Sequence, residues 1–116
     1  MKRELINLCL SYPDVYEDYP FDENWACMRH IKNKKSFAFI YERGGKLCVN
    51  LKCEPVRAVF LRRTYSDVLA GYHMNKEHWN TVIIDGSIPP EDLREMITHS
   101  YTLTNGGAGM RGRAAF

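Results

Sequence analysis

Residues 36–53 read SFAFIYERGGKLCVNLKC. Two runs rich in aromatic and branched residues flank Gly44-Gly45, a pair that accepts the positive φ angles of a tight hairpin turn. The first run sets Phe37, Phe39 and Tyr41 on one face. The second sets Leu47, Val49 and Leu51 against Cys48, Asn50 and Lys52. Alternation at period two belongs to strands. The stretch therefore predicts a β-hairpin with one apolar and one mixed face.

Working outward, residues 25–31 alternate in the same way, and Asn33-Lys34-Lys35 turns the chain into the hairpin. Residues 15–20 suit a short strand before a turn at 21–24. Leu5, Leu8, Cys9 and Tyr12 recur at helical spacing, so a first helix is expected over residues 2–12, ended by Pro13-Asp14. Downstream, Glu54-Pro55 opens a second helix, expected to turn Val56, Val59 and Phe60 inward. Residues 79–84 make a further strand and Asp85-Gly86 a turn. Pro89-Pro90-Glu91-Asp92 starts a third helix, with two acids where the dipole favours them and Leu93, Met96, Ile97 and Tyr101 as its buried stripe. These elements predict a two-layer α+β domain: an antiparallel β-sheet with helices packed on one face. It should occupy residues 1–104. Residues 105–116, NGGAGMRGRAAF, hold four glycines without periodicity and are expected to form a disordered tail.

At 116 residues the chain suffices for one core. No apolar run reaches the length of a membrane span, and the N-terminus has neither the apolar stretch nor the cleavage site of a signal peptide. A cytoplasmic location is expected. Cys9, Cys27, Cys48 and Cys53 form no CxxC pair and sit among apolar neighbours, as reduced core residues do. No metal or cofactor is expected. The net charge of +2 conceals a polarised chain. Residues 24–63 carry Arg29, Lys32, Lys34, Lys35, Arg43, Lys46, Lys52, Arg57, Arg62 and Arg63 against Glu42 and Glu54, while the flanking segments are acidic. A basic block of this kind points to an anionic partner.

Residues 69–82, LAGYHMNKEHWNTV, crowd polar and aromatic groups into a segment containing Gly71. Tyr72, His73, Lys76, His78 and Trp79 are candidates for binding a small molecule or a protein partner. His73 and His78 lie five apart, which neither a helix nor a strand presents on one face. Zinc, phosphate-loop and nucleophile-elbow spacings do not occur, so no catalytic residues are assigned. The competing expectation is a loop whose polar groups satisfy its own backbone, with Asn75 capping a single helical turn.

GYHMNKEHWNTV, the Asp-Gly turn, the Pro-led helix and SYTLT together resemble the MmcQ/YjbR family of small bacterial proteins. PDVYEDYPF, the strand-borne aromatics and LKCEP strengthen the likeness, which runs from about residue 1 to residue 104. Ala70 departs from it, since the family usually has proline before the glycine, and so does the glycine-rich tail. The resemblance implies a CyaY-like α+β fold and a DNA-binding designation attached to hairpin wings. A frataxin-like iron site would need an acidic first helix, and here Glu4 stands alone against Lys2 and Arg3.

Phosphate contacts need mobile cations, and Lys34 and Lys35 crown one turn while Arg43 and Lys46 crown the next. Successive turns of a meander lie roughly 20 Å apart for six-residue strands. The second helix is expected to bring Arg62 and Arg63 beside Arg43 and Lys46. The leading expectation is thus a non-enzymatic, monomeric binding protein that contacts DNA through Lys34, Lys35, Arg43, Lys46, Arg62 and Arg63.

Overall fold

The hairpin forms as expected and lies at the centre of the sheet in a computed structural model that describes residues 1–106. In chain order the elements are α1 (Lys2–Leu10), β1 (Val15–Asp18), β2 (Ala26–His30), β3 (Ser36–Arg43), β4 (Lys46–Lys52), α2 (Pro55–Thr64), β5 (Val68–Ala70), β6 (Trp79–Ile83) and α3 (Pro90–Thr104). The six strands are antiparallel in the order β1-β2-β3-β4-β6-β5. Three helices pack on the sheet, giving the two-layer α+β domain. Residues 107–116 of the expected tail lie outside the described residues.

Directly paired residues share a face, so the register sorts the side chains. One row runs Ala26, Ile40, Val49, Val82, Val68, and the next runs Met28, Ala38, Leu51, Asn80, Ala70. With Leu5, Ile6 and Cys9 of α1 and Met96 and Ile97 of α3, these rows supply most of a single buried cluster. The opposite face carries the row Cys27, Phe39, Asn50, Thr81, Leu69 and, beside it, Tyr41 and Cys48. No helix covers it. The segment leading into β2 and the loop between β5 and β6 roof it instead.

Two sequence expectations are corrected. Phe37 does not share a face with Phe39 and Tyr41. Met28 pairs with Ala38 and Arg29 with Ser36, leaving Phe37 as the extra residue of a bulge. The bulge turns Phe37 into the helix-side core, against Tyr12, His30 and Tyr101. On α2, Val56, Val59 and Phe60 face outward, at 78%, 39% and 63% exposure. The inward stripe is Ala58, Leu61, Arg62 and Tyr65, at helical spacing. Ala58 leads it because the helix lies close to the sheet there, its carbonyl accepting from Asn80 Nδ2 at 3.3 Å.

Among the described residues no helix is long and apolar enough to cross a membrane. The four cysteines are free and buried. The short edge strand β5 was not expected from the sequence. Its outward pair Leu69 and Ala70 hides no apolar stripe that alternation could reveal.

Candidate functional site

The helix-free face is held together by one buried amide. Asn50, fully buried in β4, receives the Tyr41 hydroxyl at 2.8 Å and the Thr81 hydroxyl at 2.6 Å on Oδ1. Its Nδ2 donates to the Tyr72 carbonyl at 2.9 Å, and the Tyr72 amide donates to Thr81 Oγ1 at 2.8 Å. Asn50 and Thr81 thereby clamp the start of the β5–β6 loop onto the sheet. Every polar group in this cluster is paired, as a low-dielectric site demands.

The rest of that loop locks on itself. The Gly71 amide bonds the Trp79 carbonyl at 2.9 Å, and a Cβ at Gly71 would lie 2.8 Å from Trp79 Cβ and 2.9 Å from its carbonyl oxygen. Glycine is required there by close approach. Lys76 Nζ donates to the Gly71 carbonyl at 2.9 Å, and Asn75 Oδ1 accepts from the Glu77 and His78 amides, the expected cap. Arg62 reaches in from α2, donating to the Lys76 carbonyl at 3.2 Å and to Asn80 Oδ1 at 2.7 Å. The residue so braced is His73, held at a φ of 61° that non-glycine residues seldom adopt.

His73 stands at the edge of an aromatic cluster. Its ring lies 4.0 Å from that of Tyr72, centroid to centroid, and 6.3 Å from Trp25. Trp25 stacks on Tyr41 at 4.1 Å with the planes 6° apart, and Phe39 sits 6.2 Å from Trp25 and 5.5 Å from Trp79. The Arg43 guanidinium covers the Tyr72 ring at 3.8 Å. Beside these rings lies an open cradle of about 520 Å³, lined by Phe21, Asp22, Trp25, Phe39, His73 and Met74. That volume falls in the range of small-molecule sites. A comparable hollow between α2 and α3 is lined by Arg57, Glu91, Arg94 and Glu95 among others, with no aromatic platform.

Of the expected ligand residues, the structure brings Tyr72, His73 and Trp79 to the aromatic cluster. Lys76 and His78 are used elsewhere: Lys76 closes the loop, the His78 carbonyl receives the Cys53 amide at 2.8 Å, and its ring faces Glu77. Phe21, Asp22, Trp25, Phe39 and Met74 escaped sequence reading. Asp22 carried a usable signal, because an aspartate two and three residues before Asn24 and Trp25 suits an Asx turn, and its Oδ1 accepts both amides, at 2.9 and 3.0 Å.

The two basic turns stand apart, as expected of a meander. Lys34 and Lys35 stand at the β2–β3 turn and Arg43 and Lys46 at the other end of β3. The expected bridge by α2 is corrected. Arg62 is bound to Asn80 on the helix side of the sheet, whereas Arg43 lies on Tyr72 on the opposite face. Asn80 pairs with Leu51, while Lys46 pairs with Arg43 five residues back along β4, roughly 17 Å away at strand rise. Arg63 is exposed on α2.

Among the described residues, no three His, Cys, Asp or Glu side chains converge as a metal would require. Burial pushes the Cys9 thiol up to about 12 and that of Cys27 to about 11, and raises Cys48 and Cys53. Thiols held protonated are poor nucleophiles.

The family model described as YjbR matches residues 10–103. The Escherichia coli K12 protein named "Uncharacterized protein YjbR" is 33% identical over 98 residues, covering 84% of this chain and 81% of its own length. Among solved structures, the Deinococcus radiodurans protein DR2400 superposes with a TM-score of 0.81 at 30% identity, covering 97% of this chain and 80% of that one. A Pseudomonas syringae structure, target PsR293, gives 0.80 at 27% identity, covering 90% and 98%. None of these names states an activity.

Proposed function

The chain belongs to the YjbR family, and from that premise we propose that it is a binding module whose ligand is a small molecule with a flat or apolar head group seated in the cradle. The observation that carries this reading is the platform of Phe21, Trp25 and Phe39 around an open space of about 520 Å³. Aromatic side chains outside the main core gain most when a ligand removes their faces from water. A locked loop beneath His73 and Met74 presents them in one geometry, which limits the ordering needed on binding. We infer binding rather than catalysis because the ring of His73 neighbours aromatic rings instead of a nucleophile, and the thiols are held protonated. Free thiols suit a reducing, cytoplasmic setting.

A fragment screen read by amide chemical shifts tests this. Aromatic and alkyl fragments should move Trp25, Phe39, His73 and Met74 together and saturably. Phe39→Ala should abolish the response while leaving a folded spectrum. Fragments that gather in the α2–α3 hollow, or nowhere, refute the reading.

DNA is the second reading. It is favoured by Lys34, Lys35 and Lys46, which are exposed and in no ion pair among the described residues, and by Arg43 near Lys46. Duplex DNA followed by fluorescence polarisation across a salt series decides it. Phosphate contacts require affinity to fall steeply with salt. A flat response, or no binding at low salt, rejects DNA.

A further inference from the structure

We propose that the head group taken by the cradle is positively charged, an organic cation of the alkylammonium or quaternary ammonium class. This rests on the reading of the cradle as a ligand site and specifies its chemistry. Three of the six lining residues, Phe21, Trp25 and Phe39, offer aromatic rings, and a fourth, Met74, a polarisable thioether. Aromatic faces carry the negative end of a quadrupole and attract a cation that is weakly hydrated. The lining holds one formal charge, Asp22, and no lysine or arginine.

The placement of Asp22 is specific. Its Oδ1 is occupied by the Asn24 and Trp25 amides, which pins the carboxylate beside the Trp25 ring. Neither Asp22 nor Glu23 enters an ion pair among the described residues. A second hollow of about 520 Å³, lined by Tyr19, Asp22 and Glu23, shares Asp22 with the cradle. The guanidinium that could have served an anion, Arg43, is seated on Tyr72 and does not line the space. An anionic head group would face the Asp22 carboxylate with no compensating cation. A neutral one would gain the rings and leave the carboxylate idle. A cation uses both.

Phe21 fits the same account. It is 70% exposed at the cradle rim, where a large aromatic gains by being covered.

Paired probes test the charge directly in the full chain. Choline is compared with its uncharged carbon isostere 3,3-dimethylbutan-1-ol, and benzyltrimethylammonium with neopentylbenzene, each titrated by amide and indole chemical shifts. The cations should move Trp25, Phe39 and Met74 saturably and bind on the order of fivefold more tightly than their isosteres, the scale of a cation–π contact near a surface. Asp22→Asn keeps the Oδ1 acceptor of the turn and so keeps Trp25 in place. It should narrow the gap between cations and isosteres, leaving the part that the rings supply. Equal binding of cation and isostere overturns the positive charge and leaves the cradle as a binding site, and a cation preference wholly unchanged by Asp22→Asn overturns the part assigned to Asp22. If neither member of either pair moves the cradle of the folded protein, the site and its proposed ligand class fall together.

Discussion

The helix-covered face of the sheet is closed mainly by apolar packing, whereas the opposite face is closed by hydrogen bonds and stacked rings. On the first, Ile40, Val49, Val82 and Val68 share one buried apolar cluster with residues of α1 and α3, with few directional demands. On the second, Tyr41, Asn50 and Thr81 are nearly as buried, yet each depends on a named partner. The first arrangement supplies stability from area removed from water. The second supplies position, because a hydrogen-bonded clamp sets where Tyr72 and His73 stand. The two faces should therefore respond to mutation in different ways.

Phe37 and Phe39 give the sharpest contrast, since they lie two residues apart on β3 and the bulge sends them to opposite faces. Phe37 is fully buried among Tyr12, His30 and Tyr101. Phe37→Ala should cost about 4 kcal/mol in urea unfolding, the range for deleting a core aromatic. Phe39 borders the open cradle, so Phe39→Ala should cost about half of that or less and spare the fold. Equal losses would erase the distinction between the faces.

Asn50→Leu comes next in size. The substitution removes one amide and strands the Tyr41 hydroxyl, the Thr81 hydroxyl and the Tyr72 carbonyl. Unpaired buried polar groups cost about 1–3 kcal/mol each before relaxation, and we expect a net loss of about 2–3 kcal/mol. Hydrogen exchange should accelerate first at the loop amides between Gly71 and Trp79, while α1 and α3 stay protected. Uniform acceleration across the domain would mean that the clamp serves global stability alone.

The same contrast explains what could be read in advance. Strands from Val15 to Ile83 were legible wherever alternation and a turn residue agreed, and Gly44-Gly45 and Asn75 performed as their chemistry requires. The bulge was not legible. An extra residue in SFAFIY looks like any other alternating residue until the partner strand is known. On α2 the pattern misled, because Val56, Val59 and Phe60 carry more apolar surface than Ala58, and burial there was decided by how closely the helix lies on Asn80. The cradle was half legible: the loop announced itself through Tyr72, His73 and Trp79, while its other wall comes from residues 21–25, distant in sequence.

Acid should loosen the helix-covered face in particular. Burial holds His30 below the ordinary histidine value of 6.5, and burial aided by the positive charge of Arg57 does the same for His99. His30 Nε2 pairs with Thr104 Oγ1 at 2.8 Å, and His99 Nε2 accepts the Glu54 amide at 3.2 Å at the start of α2. The native state then refuses protons that the unfolded chain binds, so stability is full above pH 6.5 and declines as pH falls below it. Thermal melts from pH 8 to pH 5 check the sign. His99→Gln, which can still accept from Glu54, should flatten part of the decline. A melt that is flat over this range would show that neither ring is kept neutral by the fold.

The smallest expected effect lies at Arg43. Its guanidinium covers the Tyr72 ring at 3.8 Å but remains exposed, and contacts of this kind contribute about 0.5–1 kcal/mol near water. Arg43→Ala should lower stability by about that amount, and Arg43→Lys should retain part of it, as a compact ammonium stacks less well. The loss is small because the clamp through Asn50 holds the Tyr72 backbone regardless of what covers its ring. Arg43→Ala also weighs the two proposed uses of this face. Contact with phosphate predicts that the salt slope for duplex DNA falls by about one released ion while cation binding in the cradle is unchanged. A purely structural Arg43 predicts the stability change with no change in that slope. Loss of cation binding in the cradle would instead show that the Tyr72–His73 pair needs its cover to hold its place.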